Sequence, residues 1–297
     1  MLAGSTMEQR QHYAVRMLQK AGVLSDDRLA EAFSHVRRED FLGRPPWLIQ
    51  DRGGYRDVPS HDVATLYEDV LVALDASRGL NNGSPSLHAL AIHSLAPQAG
   101  ETVIHAGAGT GYYSAILAEL VGTNGRVLAI EYDAALGDRA RTCLADRANV
   151  EVVHGNGLEW PKGEADIVYV NFAVDRPADP WIERLKPGGR LLFPLGVPLF
   201  EGRKQKGPEY TAMAGFLLVR REAEGYSARF IEGVSFIWGE GVIPSDWACH
   251  TRLRAAFADN WRAVQSLRWK GTPAEDEWYS EPDWGLSTHA LVAAAAE

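Results

Sequence analysis

Over residues 8–43 the apolar positions Val15, Leu18, Val23, Leu29, Ala32, Phe33 and Val36 fall near helical spacing and predict helical structure. Ser25-Asp26-Asp27, just before Leu29, supplies candidate N-caps. Pro45-Pro46 stops the pattern, and residues 44–66, rich in Gly, Pro, Asp and Arg, read as a loop or inserted connection. A further helix is expected over Ser86–Leu95, with Pro85 at its start, where a missing N–H costs little. The texture then changes. Short apolar runs at 102–104, 126–131, 150–153, 165–170 and 190–194 predict strands, separated by helical patterns at 112–121, 133–145 and 177–185. Strands alternating with helices predict a doubly wound α/β sheet, mostly parallel. Residues 214–221 and 228–238 read as a strand pair closing that sheet. After Pro244 the composition shifts again: 253–264 has helical spacing, and Trp247, Trp261, Trp269, Trp278 and Trp284 crowd the remaining chain. These aromatics read either as packing for a C-terminal helix or as a lid or docking surface for a peptide. The expected organisation is an N-terminal helical segment (1–80), a central domain (81–243) and a Trp-rich extension (244–297).

Composition narrows the class. Of 297 residues, 46% are hydrophobic and 23% charged, which excludes a disordered chain. The net charge of −9 argues against nucleic acid as a partner, because such binding depends on neutralising phosphates. The basic runs Arg37-Arg38, Arg203-Lys204-Gln205-Lys206 and Arg220-Arg221 are short and read as solvated faces. Two cysteines, Cys143 and Cys249, without a C-x-x-C, support neither a disulfide framework nor a zinc knuckle, and suit a reducing cytosol. Residues 1–11 carry no apolar signal core, and the apolar run 290–296 is far short of the ~20 residues of a membrane span. A cytoplasmic protein with no membrane partner is expected. Nine histidines without H-E-x-x-H give no reason to expect a metal.

The sharpest chemical signal is His105-Ala106-Gly107-Ala108-Gly109-Thr110-Gly111, between a strand and a helix. Glycine is needed where backbone must approach a ligand or adopt positive φ, and strand–glycine loop–helix places a nucleotide-like ligand at the carboxyl edge of a sheet. The dinucleotide fingerprint G-x-G-x-x-G would require glycine where Tyr112 stands. The observed G-x-G-x-G instead suits a nucleoside without phosphate, as in S-adenosylmethionine (SAM), and disfavours an NAD-dependent oxidoreductase. Glu131, followed by Tyr132, ends the second strand 20 residues after Gly111, where a carboxylate can accept both ribose hydroxyls or be a plain surface charge. Gly155-Asn156-Gly157 follows the third strand; Asn156 can hydrogen-bond the adenine amine, or the triplet is simply a turn.

Together these segments resemble the protein-L-isoaspartate O-methyltransferases over about residues 8–240. The resemblance is carried by Gly22–Leu29 and Val36–Phe41, by Tyr67-Glu68-Asp69, and by Asn81–Ala89, which lies at the family's Ser-x-Pro loop. Gly107–Gly111, Glu131, Asn156-Gly157 and Leu185-Lys186-Pro187-Gly188-Gly189-Arg190 complete it. The resemblance implies a Rossmann-like class I SAM-dependent methyltransferase fold and methyl transfer from SAM to a carboxylate, giving a methyl ester and S-adenosylhomocysteine. In the family the acceptor is the isoaspartyl carboxylate of damaged proteins, whose ester closes to a succinimide. The chain departs from the family pattern at three places. His105 stands where the family has Asp and is expected to hold the cofactor through a hydrogen bond. Gly83 stands two residues before Pro85, where the family has Ser, while Ser84 lies one residue before. The 44–66 insertion and the tail after about 244 exceed the family core.

A carboxylate, with a pKa near ~4, is already a nucleophile at neutral pH. Orientation and exclusion of water therefore suffice, and orientation can supply roughly 7–11 kcal/mol. Candidate acceptor-side groups are Ser84 and His88. Ser84 reads equally as a helix cap, and His88 as a buried or exposed structural histidine. The candidate cofactor residues are His105, Gly107, Ala108, Gly109, Gly111, Glu131, Tyr132, Asn156, Gly157 and Asn171, with Phe172 beside the last as either core or site. The expected function is carboxyl O-methylation of an isoaspartyl or aspartyl residue in a protein or peptide. Methylation of a small metabolite and SAM-binding regulation without catalysis are the alternatives.

Overall fold

Thr6 opens the first helix with a capping box: its hydroxyl accepts from Gln9 N, and the Gln9 side chain accepts from Thr6 N. This helix, α1 (Met7–Lys20), and α2 (Asp27–His35), capped by Asp26 as expected, present Tyr13, Met17, Leu29 and Phe33 to a common core. In the computed structural model the described residues are 4–51, 54–59, 62–199, 209–242 and 245–291. The chain divides into two compact units, Met1–Gly155 and Asn156–Glu297. The division falls inside the 81–243 segment, which supplies strands to both units. The basic run 203–206 and most of the alanine tail lie outside the described residues.

The first unit continues through β1 (Trp47–Asp51), β2 (Gly54–Val58), α3 (Val63–Leu66), β3 (Ala73–Asp75), β4 (Leu80–Asn81) and α4 (Pro85–Leu95). A βαβαβ run follows: β5 (Thr102–Ala106), α5 (Tyr112–Val121), β6 (Arg126–Glu131), α6 (Ala134–Cys143) and β7 (Val150–His154). Strands β5, β6 and β7 pair in parallel, with Ala106 beside Ile130 and Glu131 beside His154, so their carboxyl ends share one edge. Helix α5 is buried all round. Its Tyr112 meets Phe33 and Phe41 edge-on, and Tyr13 meets Tyr67 in the same way, so a chain of rings fastens the N-terminal helices to the helix behind the glycine loop. The expected loop over 44–66 is corrected. β1 and β2 form an antiparallel hairpin, with Trp47, Ile49 and Val58 buried, and Ile49 bridges Val72. Flanking prolines, glycines and charges hid a two-residue alternation only three apolar positions long.

The second unit contains β8 (Ala165–Val170), α7 (Asp179–Glu183), β9 (Leu185–Pro198), β10 (Thr211–Glu222), β11 (Gly225–Gly233), α8 (Trp247–Ala258), β12 (Ser266–Trp269), β13 (Tyr279–Ser280) and β14 (Trp284–Ser287). β8 and β9 are parallel, and β9, β10 and β11 form a long antiparallel meander. The extension is more than a helix. β12, β14 and β13 continue the antiparallel sheet from β11. Phe230, Phe257, Trp261 and Trp278 form a ring cluster beneath α8, whereas Trp247 is 69% exposed.

Candidate functional site

The glycine loop joins β5 to α5 with three left-handed glycines, Gly107, Gly109 and Gly111, at φ of 75°, 58° and 91°. Its N–H groups turn inward. Those of Gly107 and Ala108 donate to Ile130 O, that of Gly111 to Ala108 O, and that of Gly109 to Glu131 Oε2 at 2.7 Å. Four loop donors are thereby engaged within the protein, which suits a ligand that brings no phosphate to this helix start. Glu131 also accepts from Asp133 N at 2.9 Å through Oε1. Only 7% exposed, it has its pKa raised by burial, and the two backbone donors act in the opposite direction. Each carboxylate oxygen retains a lone pair for a further donor, as a ribose diol requires. Tyr132 follows with its ring exposed, and its carbonyl lies 3.0 Å from His154 Nε2.

Residues 73–81 border this edge. Leu74 packs toward Gly109, and Arg78 pairs with Asp133, which caps α6 through Leu136 N. Asp75 in turn accepts from Ser77 N and Arg78 N. Sequence spacing gave no signal for Leu74, Arg78 or Asp133, because the contacts they make span tens of residues.

On the acceptor side, Ser84 caps α4 by accepting from Leu87 N, and its hydroxyl donates to Asp69 Oδ1 at 2.9 Å. Ser86 binds the same carboxylate through N and Oγ, at 3.1 and 2.7 Å. These hydrogen bonds outweigh partial burial and hold Asp69 below its usual pKa. Asp69 is thus the anchor of this loop, a role the Tyr67-Glu68-Asp69 motif marked without specifying. Arg38, fully buried, supports the same region: it donates to the carbonyls of Leu66, Glu68 and Val70 and to Asn82 Oδ1.

Two of the candidate residues are enclosed by the fold. His105, a cofactor candidate, is fully buried with Nδ1 2.7 Å from Ser114 Oγ, joining β5 to α5 beneath the loop. His88, an acceptor-side candidate, is 3% exposed and stacks on Tyr113 at 3.6 Å. A Cβ built on Gly83, whose φ is +74°, would fall onto His88 Nε2. The imidazole fills the place a residue-83 side chain would take. Burial pushes both imidazoles down, His105 to about 3, so both are neutral at physiological pH.

Asn156, Gly157 and Asn171 belong to the second unit. Asn156 Oδ1 accepts from Leu158 N at 3.0 Å, capping a short 3-10 turn, so its NH2 is the group left to donate to a base. Gly157 O accepts from Trp181 Nε1 at 2.9 Å. Asn171 and Phe172, both half-buried, leave the carboxyl end of β8, and Phe172 lies 5.9 Å from the Trp181 ring.

Comparison with known proteins gives the family. The family model "Protein-L-isoaspartate(D-aspartate) O-methyltransferase (PCMT)" matches residues 9–212. Among curated relatives, the protein-L-isoaspartate O-methyltransferase of Aeropyrum pernix is 35% identical over 190 residues, covering 62% of this chain and 66% of the relative. That of Methanopyrus kandleri is 32% identical over 188 residues, covering 61% and 75%. A solved protein-L-isoaspartate O-methyltransferase superposes with a TM-score of 0.60 at 23% identity, over 84% of this chain and 69% of that one. A Plasmodium falciparum structure, described as a protein of the same type in complex with S-adenosyl-L-homocysteine, gives 0.59 at 16% identity, over 78% and 99%. The two structures share the Rossmann-like fold, and the family match runs from α1 through the glycine loop and Glu131 to the start of β10: the chain belongs to the protein-L-isoaspartate O-methyltransferase family.

Proposed function

We propose that the protein is a SAM-dependent carboxyl O-methyltransferase acting on an isoaspartyl or aspartyl carboxylate in a protein or peptide. The observation that carries this reading is the family match over residues 9–212, with the G-x-G-x-G loop and its Glu131 carboxylate inside the matched span. The cofactor supplies an electrophilic methyl group. Glu131, fixed by Gly109 N and Asp133 N, receives the ribose hydroxyls; Gly107 and Gly109 give the nucleoside room to approach. Asn156 is assigned to the adenine on its place after the third strand and the NH2 that its cap leaves to donate, and Asn171 to the cofactor on the resemblance. The acceptor carboxylate is ionised at neutral pH and attacks without a general base, so positioning is the whole of the protein's task. A cytoplasmic location belongs to the same reading and is supported by the two free thiols, Cys143 and Cys249. No helix among the described residues is long and apolar enough to cross a membrane.

One observation favours a narrower acceptor, an aspartyl residue in a dedicated peptide. No side chain at Gly83 faces the acceptor, and the Ser84 hydroxyl is held by Asp69. Labelled methyl transfer to matched peptides carrying isoaspartate or aspartate at one position separates the cases. Base-labile label on the isoaspartyl peptide alone establishes repair-type specificity. Label on the aspartyl peptide establishes aspartyl methylation, and label on neither, with SAM bound, sinks the repair reading and moves the search to a dedicated peptide.

The cofactor assignment has its own check. Glu131→Ala is expected to weaken SAM binding by about 1–3 kcal/mol, the usual contribution of a hydrogen bond to a charged group. Calorimetric titration measures this directly, and an unchanged affinity removes Glu131 from the site.

A further inference from the structure

In open α/β sheets, ligands sit outside the carboxyl ends of the strands. The segment that leaves β8 there, residues 171–175, is held by the C-terminal half of the chain to an unusual degree. Ala173 N donates to Ile237 O at 2.8 Å, and Gly239 N donates back to Ala173 O at 3.0 Å. Val174 N donates to Pro194 O at 3.1 Å, and Gly196 N to Val174 O at 2.9 Å. The 237–239 backbone runs so close that a Cβ on Gly239 would meet Phe172 Cδ2 at 2.5 Å. Asp175 ends the segment. Its Oδ2 accepts from Ser245 N at 2.5 Å and lies 2.8 Å from His250 Nε2. Because a carboxylate only accepts, Nε2 carries the proton. Both side chains are buried, at 4% and 3% exposure.

We propose that His250, on α8 of the extension, is a positioning residue for methyl transfer: through Asp175 it fixes the segment that carries Asn171 and Phe172 at the carboxyl edge of β8. The inference rests on the transferase reading of that edge, and it gives the extension a role in the reaction. A buried carboxylate that loses one of its two donors, keeping only Ser245 N, must gain water or a proton, and either response moves the backbone that bears it. A displacement of about 1 Å in a positioning element can cost on the order of a hundredfold in rate. The carboxylate is kept by the imidazole N–H, so an amide N–H at the same reach is expected to serve.

The test compares His250→Leu with His250→Gln in the full-length protein. In His250→Leu, hydrogen exchange at the Ala173 and Val174 amides is expected to quicken about tenfold or more, and kcat to fall about tenfold or more, by a larger factor than SAM affinity. His250→Gln is expected to restore both. Asp175→Asn, whose amide oxygen still accepts both bonds, is expected to keep the amide protection. A folded His250→Gln that stays slow overturns the proposal, as does a His250→Leu variant with parental protection and kcat. Loss of SAM binding and of protection throughout the unit in His250→Leu also overturns it, since the role would then be merely structural. Exchange is read independently of turnover. Quickened exchange alongside a parent that methylates no carboxylate would therefore sink the transferase reading while sustaining the link from His250 to the 171–175 segment.

Discussion

Replacing Gly109 with valine is expected to abolish SAM binding in a chain that still folds. The residue sits at φ +58°, and the left-handed region costs a side chain with a Cβ roughly 1–2 kcal/mol. A Cβ there would lie 3.1 Å from Leu74 Cδ1, and the Leu74 side chain can give by the few tenths of an ångström required. Gly109 N is bonded to Glu131 Oε2, so if Glu131 holds the ribose the added valine methyls are expected to crowd the nucleoside beside it. Strain and occlusion act on the same residue, and only the strain falls on folding. Binding should weaken at least ~100-fold, about 2.7 kcal/mol, in calorimetric titration, with a modest drop in Tm. Gly111 is the contrast. A Cβ there would meet Leu144 Cδ1 at 2.5 Å inside the core, so Gly111→Ala should act chiefly on stability. If Gly109→Val binds SAM as the parent does, the cofactor lies elsewhere.

What was legible in the sequence follows from which contacts are local. Helix 112–121 and strands 126–131 and 165–170 coincide with α5, β6 and β8, because each is a mostly apolar run bounded by glycine or polar residues. β9 was read as 190–194 and runs from Leu185 to Pro198. Lys186-Pro187-Gly188-Gly189 looks like a turn, yet it continues the strand through an irregular register opposite Ala165–Ile167. Helix 253–264 was read too late in the chain: Asp246 caps α8 at Trp247, whose exposed ring gives no apolar period, and Asp259 ends it. The glycine loop and Glu131 were legible because fixed backbone conformations at a strand end leave a spacing in the sequence. The part His105 plays was not. Ring burial and the bond to Ser114 are set by packing from α5, which no motif encodes. The same is true of Asp69, which meets Ser84 and Ser86 across 15 and 17 residues, and of His250, 75 residues from Asp175.

Acid is expected to destabilise this protein more steeply than its His105→Asn variant. Burial alone holds His105 at about 3, against 6.5 for an exposed imidazole. The folded chain therefore refuses a proton that the unfolded chain accepts. Stability is full above pH 6.5 and is lost as pH falls toward about 3, by about 1.4 kcal/mol per pH unit. His88, stacked on Tyr113, is pushed down by burial and by the nearby charges of His105 and Arg38, and adds to the loss in the same direction. An asparagine at 105 can still bond Ser114 Oγ and does not titrate. The gap in stability between variant and parent should therefore shift in the variant's favour by about 2.5 kcal/mol from pH 6 to pH 4. Urea midpoints collected at several pH values in that interval measure it, and parallel curves for the two proteins would show that His105 takes up a proton without unfolding. Because both imidazoles are neutral from pH 6.5 upward, neither contributes an inflection to the pH dependence of methyl transfer there. The pH dependence of methyl transfer then falls to other groups, among them the acceptor carboxylate and Glu131, whose pKa burial raises.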